Sequence, residues 1–359
     1  MTDDMTTTYD ALLLVSFGGP EGPDDVLPFL RNVVEGRNVP DERLEEVAQH
    51  YHRFDGKSPI NDQNRALLSA LEPALQAAGI ELPLYWGNRN WHPLLADTLA
   101  DMASDGVRRA LAIVTSAYSS YSGCRQYRED LAEAQAEVGG DAPQIDKIRV
   151  YYNHPGFVAA NVDRVRAALD ALPEAVRGGA HIAFTTHSIP LTMSRHSDYE
   201  VQTFETARLV MEGLGETRPW AVVFNSRSGP PHIPWLEPDI NDHLASVAAS
   251  GAEAVVVAPI GFVSDHLEVI YDLDVEARET AQEHGLSFVR AGTVGTHDAF
   301  VNGLVELVRE RVDGAPRRAL GTRGPNHDAC PLDCCLTPGQ EQKPAVADAP
   351  ERRAQRRPA

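Results

Sequence analysis

Cysteine is scarce in this chain. There are four in 359 residues, and three of them fall inside NHDACPLDCC at 326–335. With Cys124 the only thiol elsewhere, a disulfide framework is excluded as the basis of the fold. Positive charge is also short: 32 Lys and Arg stand against 52 Asp and Glu, a net charge of −20. Such a chain lacks the cationic surface that a nucleic-acid backbone requires. Long apolar runs are missing too, and the longest, ALLLVSF and AVVVAPIGFV, reach about half a membrane span. The opening MTDDMTTTYD is acidic and polar, unlike a secretory signal. The expectation is a cytoplasmic protein with no nucleic-acid partner and no integral membrane contact.

What is present is alternation. Apolar, β-rich runs at 11–17, 82–87, 110–116, 182–186, 221–224 and 254–260 each end in a polar or Gly-bearing turn. Ala/Leu/Glu-rich segments of helical period lie between them, at 61–78, 94–104, 156–172, 203–214 and 240–250. Apolar strands alternating with helices predict an α/β fold with parallel sheets, which bind ligands beyond the carboxyl ends of their strands. The order also repeats. LYWGNRNWHP and its following helix are echoed by VVFNSRSGPPHIPW and its helix, and LLLVSFGGP is echoed by IAFTTHSIP. The echo predicts two similar halves with a ligand cleft between them. After Glu310 the periodicity stops, so the tail is expected to be disordered apart from its cysteines, and the basic ERRAQRRPA to stay solvated.

Two places could carry chemistry. In FVSDHLEVIYDLDVEARE a helix would set Glu268, Asp272 and Glu276 at i, i+4 and i+8, one acidic line. A solvated acidic face is the plain alternative, but Leu267, Ile270, Tyr271 and Leu273 make the stretch mostly apolar. A carboxylate line just past a strand end suits a divalent-cation path. His187 follows the strand IAFTT, where its imidazole could bind a borderline metal or accept a proton. The tail cysteines Cys330, Cys334 and Cys335 allow a zinc site shared with His327, an Fe–S site or a redox pair. Four thiolates is the ligand count of a [2Fe–2S] centre, and the chain has four cysteines.

Seven motifs occur in order: LLLVSFGGP, SPIN, GNRNW, TSAYSSYSGCRQY, THSIP, SRSGPPxxPWLEPD and PIGFVSDHLEVIYDLD. From about residue 10 to 310 the chain resembles the ferrochelatases, above all the coproporphyrin III enzymes of the actinobacterial branch. The resemblance implies two Rossmann-like, chelatase-type domains at 9–155 and 156–312, with a cluster-bearing tail at 313–359. It implies insertion of Fe²⁺ into coproporphyrin III in haem biosynthesis, by a lyase that consumes no nucleotide. Protoporphyrin IX as substrate, and a non-catalytic haem or porphyrin carrier, remain alternatives. The family's pattern implies a monomer, with other haem-pathway enzymes as transient partners.

By motif match, His187 and Glu268 are the iron-side catalytic and metal-binding residues, and Asp272 and Glu276 continue the path outward. Ser58 and Tyr127 match positions at the porphyrin carboxylates. Phe17 stands where many relatives have tyrosine, so it can stack on the macrocycle but cannot supply a phenolate, and His50 stands where they have arginine. Some actinobacterial members hold a [2Fe–2S] cluster with one internal and three C-terminal cysteines. Cys124, Cys330, Cys334 and Cys335 match that pattern, although CxxxCC is a tight spacing.

Overall fold

The computed structural model describes residues 8–36, 39–229, 232–337, 339 and 341–349. The terminal ERRAQRRPA lies outside the described residues.

The apolar runs form two separate parallel sheets. The first holds β1 (Ala11–Ser16), β2 (Leu84–Asn88), β3 (Arg109–Val114) and β4 (Gln144–Lys147), in the order β2-β1-β3-β4. The second holds β5 (His181–His187), β6 (Trp220–Asn225), β7 (Ala254–Ala258) and β8 (Ser287–Arg290), in the order β6-β5-β7-β8. All pairings are parallel, and the two orders are the same when each sheet is counted from its own first strand. The internal echo of the sequence is therefore an echo of topology. Every residue of β1 and of β7 is buried, as expected of strands covered by helices on both faces. The fold is α/β, with two Rossmann-like halves.

Two strands have no counterpart in the sequence expectation. β4 reads QIDK and β8 reads SFVR, each a four-residue sheet edge. Edge strands bury less and tolerate charge, so they leave no apolar run to find.

The chain crosses back between the halves at its end. Helix Asp298–Val312 buries Phe300, Leu304 and Val308 in the same cluster as Leu12, Leu14, Leu67 and Leu71 of the first half. It also packs against helix Pro155–Ala171 at a close crossing. A Cβ on Gly156 would stand 2.3 Å from the Ala299 carbonyl oxygen. For the described residues of the tail from 313 to 349, expected from composition to be disordered apart from the cysteines, the path is irregular with specific anchors. The Cys330 amide donates to Ala347 O at 2.9 Å, and the Ala349 amide to Cys330 O at 2.8 Å. Buried Arg125 donates to the carbonyls of Leu332 (2.6 Å) and Lys343 (2.9 Å), and buried Arg128 to that of Val346 (2.8 Å).

Candidate active site

The carboxyl end of β5 delivers His187, which pairs in register with Asn225 at the end of β6. After β7, residues 259–266 form a loop that turns into the short helix Leu267–Ile270. Glu268 is the second residue of that helix. The two elements bring His187 Nε2 to 3.7 Å from Glu268 Oε1, with 34% and 41% of the side chains exposed. His187 Nδ1 contacts the Ser188 carbonyl, an oxygen that can only accept. Nδ1 therefore carries the hydrogen, and Nε2 is the nitrogen free to take up a proton or bind a metal. Tyr199 Oη, donating to His187 O at 2.9 Å, braces the backbone behind it.

The electrostatics follow from this contact. Burial alone would pull His187 below the ordinary imidazole range, but the hydrogen bond and charge of Glu268 outweigh it and hold the imidazole above that range. Glu268 feels burial pushing it up, and His187 and His266 hold it well below the usual carboxylate range. Each group thus favours the charged form of the other, imidazolium beside carboxylate.

Asp272 is one step further out. Asn225 Nδ2 donates to its Oδ2 at 3.1 Å, and Ser226 Oγ donates to the same oxygen. Burial, then the negative charges of Glu268 and Glu276, push Asp272 up to about 7, with Ser226 and Asn225 acting in the opposite sense. The expected straight acidic helix needs correction. The segment Tyr271–Glu276 is a π-helical turn between Leu267–Ile270 and Ala277–Glu283. A π turn holds more residues than an α turn, so i and i+4 no longer stack one above the other. Asp272 accordingly meets β6 and its turn, whereas Glu276 sits among the charges of Asp239, Glu279 and Arg53, raised by burial and by the first two.

The other sequence-matched residues are placed less openly. Ser58 is 2% exposed, and its Oγ accepts from the Leu267 amide at 3.3 Å, tying the KSPIN loop to the residue before Glu268. Tyr127 is 5% exposed in the layer with Leu13, Val15 and Leu131, under the Arg89 guanidinium at 4.4 Å. Phe17 is half-buried, edge-on to Phe29 at 6.3 Å and near Arg89 at 5.7 Å. His50 stacks flat on Tyr271, with ring centroids 4.0 Å apart and 8° between planes, so a residue of the first half covers the start of the π turn. Asn225, Ser226 and Tyr271 were missed by sequence reasoning. The one available signal was the second Asn-x-Arg turn of the echo, which contains two of them.

The cysteines converge. Cys124 sits in a π-helical turn, Tyr121–Arg125, close enough to Cys330 that the neighbouring thiol and burial push its own well above the ordinary range. Cys334 Sγ lies 3.7 Å from Cys335 Sγ and 3.8 Å from His327 Nε2. Donor atoms of His327, Cys330 and Cys334 all lie within 4.8 Å of one another, a group able to hold a metal ion. None of the four cysteines is in a disulfide, and Cys335 takes a left-handed φ of 62°, which helps turn two adjacent thiols to one side. The donor set, four thiols and an imidazole, fits a thiophilic metal centre.

The fold of two parallel sheets is shared with a solved chelatase. "SirB from Bacillus subtilis with Fe3+" superposes with a TM-score of 0.53 at 12% identity, covering 85% of this chain and 96% of that one, a likeness of fold alone. Residues 9–312 match the Ferrochelatase family profile, and the chain belongs to that family. It is a metal chelatase, a lyase. It is 54% identical to the "Coproporphyrin III ferrochelatase" of Streptomyces griseus, over 95% of this chain and 96% of that protein. It is 52% identical to the "Ferrochelatase" of Rhodopirellula baltica, over 94% and 96%.

Proposed function

We propose that this chain inserts Fe²⁺ into coproporphyrin III, releasing two pyrrole protons, with His187 and Glu268 at the metal-side face. The carrying observation is the 3.7 Å approach of His187 Nε2 to Glu268 Oε1 beyond the strand ends of the second sheet. It is joined to 54% identity with a coproporphyrin III ferrochelatase over nearly the whole chain. Iron is substrate here. For the porphyrin to take the metal, its two N–H protons must leave. Nε2 is the imidazole nitrogen not committed to a carbonyl, so it receives them once His187 has given up its own proton. Glu268 either ligates the incoming iron or passes the proton outward. Asp272, with a pKa near neutrality, exchanges it next, and Glu276 continues toward solvent. Ser58 and Tyr127 belong to the porphyrin-carboxylate end, with Phe17 against the macrocycle. Both hydroxyls are buried in this structure, so contact with a carboxylate requires side-chain movement.

The thiol group is assigned to a [2Fe–2S] cluster on Cys124, Cys330, Cys334 and Cys335, which when bound supplies a cross-link and a one-electron couple. The 3.8 Å contact of His327 with Cys334 favours zinc as the second reading. Iron and acid-labile sulfide content separates the two. No helix among the described residues is long and apolar enough to cross a membrane, in keeping with action in the cytoplasm.

The test is anaerobic insertion of Fe²⁺ into coproporphyrin III and protoporphyrin IX under the same conditions. Steady turnover with a clear preference for coproporphyrin III is expected. Equal or reversed preference overturns the substrate, and porphyrin binding without turnover makes the chain a carrier.

A further inference from the structure

The cysteine site has two buried cations beside it, which the chelatase reaction does not use. Lys147, the last residue of β4, is 4% exposed and lines the same small cavity as Cys124, Gly123 and Ser116. Its Nζ donates to the Ile148 carbonyl at 3.2 Å, which accounts for one of an ammonium's three donors. Burial and the neighbouring Arg128 oppose its charge, and Cys124, Cys330 and Cys334 as thiolates sustain it. Arg128, with no side-chain exposure to speak of, spends Nε on Val346 and Nη2 on Asp348, while its buried Nη1 has no hydrogen-bond partner among the described residues. Cys330 and Cys124 act on Arg128 as well.

A buried ammonium is tolerated only beside negative charge, and an orphaned buried N–H costs about 1–3 kcal/mol. A four-thiolate [2Fe–2S] centre supplies that charge, roughly two negative charges when oxidised and roughly three after uptake of one electron. Its sulfur atoms also accept N–H hydrogen bonds. The site and the cations each lack what the other provides.

We infer that Lys147, assisted by Arg128, is the counter-charge of the cluster and raises its reduction potential, so that the centre can be reduced as well as serve as a cross-link. This rests on the cluster assignment above. The reduced state carries the extra negative charge, so a fixed buried cation stabilises it more than the oxidised state. Removing the cation must lower the potential. Lys147 is a positioning and tuning residue, since no thiolate bond is made by it.

The test uses the full chain, isolated anaerobically and titrated with dithionite through redox mediators while visible absorption is followed. Lys147→Met should disfavour reduction at least tenfold, a midpoint about 59 mV lower for one electron. Lys147→Arg, which keeps the charge, should stay within threefold of wild type. A folded Lys147→Met that cannot retain the cluster, beside a Lys147→Arg that does, supports the same role. If Lys147→Met does not fold, Lys147→Gln takes its place with the same expectation. A neutral variant within threefold of wild type overturns the inference, as does an Arg variant shifted as far as the Met one. Wild-type protein that holds zinc and no sulfide overturns the cluster assignment itself, a result recognisable before any variant is made.

Discussion

His187 shows how one side chain acquires a direction. The Ser188 carbonyl takes the Nδ1 hydrogen, which leaves Nε2 to face Glu268. His187→Ala should lower the insertion rate by about 10²–10⁴, the usual worth of a positioned acid–base group. Porphyrin affinity, read by fluorescence quenching, should stay within a few-fold, and a parallel loss of both would assign His187 to binding instead. Asp272 gives a second, thermodynamic test. Its carboxyl rises from an ordinary value of 3.8 to about 7 in the folded state, first through burial and then through Glu268. Between those values the folded protein holds a proton that the unfolded chain has lost. Stability from this group is therefore full below the unfolded pKa and falls as pH rises toward 7. Asp272→Asn removes the penalty, so its melting temperature relative to wild type should increase from pH 5 to pH 8. A constant difference across that range would mean that Asp272 is already ionised at pH 5.

Elements carry these residues to the cleft, and some elements were more legible than others. β1 and β7 stand out in the sequence as nearly continuous apolar runs because both of their faces are covered, and β5 shows as the β-rich IAFTT. The position of His187 at a strand end followed from that, and so did the placing of Glu268 just beyond β7. β4 and β8 did not show, being short and polar at sheet edges. Nor did the π turn at Tyr271–Glu276, since a helix of either kind draws on the same residues. Ser226 was hidden for another reason: its contact with Asp272 depends on a left-handed φ of 62°, which no composition announces in a serine. The crossing of helices Pro155–Ala171 and Asp298–Val312 supplies the element-scale prediction. Gly156→Ala should gain at most about 1 kcal/mol from helix propensity. The new Cβ would meet backbone, 2.3 Å from Ala299 O and 2.9 Å from Gly303 Cα, and neither can swing away. Overpacking of that kind costs about 1–3 kcal/mol, so the variant should be less stable in urea despite being the better helix former. Unchanged or increased stability would show that the two helices can part without loss.

At the scale of the whole molecule, the irregular tail is attached to the first half along helix Gln126–Val138 and the turn before it. Arg125 and Arg128 hold one carbonyl within the cysteine turn and two beyond it, the Val346 amide donates to Arg128 O at 3.0 Å, and Val346 itself joins the cluster around Leu13 and Val15. Such bonds are worth about 0.5–1.5 kcal/mol each after exchange with water. Ordering costs about 1–2 kcal/mol for every residue fixed. The anchors offset part of that cost, and a cross-link from the tail to the first half would add to them. A metal centre joining Cys124 to the tail cysteines would close a loop of about two hundred residues, and closing a loop of even 100 residues is worth about 4.7 kcal/mol in the chain-entropy account. Cys124→Ser should therefore abolish the visible absorption of the purified protein and also release the tail. Amide exchange at Cys330, Val346 and Ala349 should accelerate markedly, and limited proteolysis should trim the chain back toward residue 313, while amides of β1, β5 and β7 keep their protection. A tail that stays protected in Cys124→Ser would mean that the arginine and backbone anchors suffice to hold it.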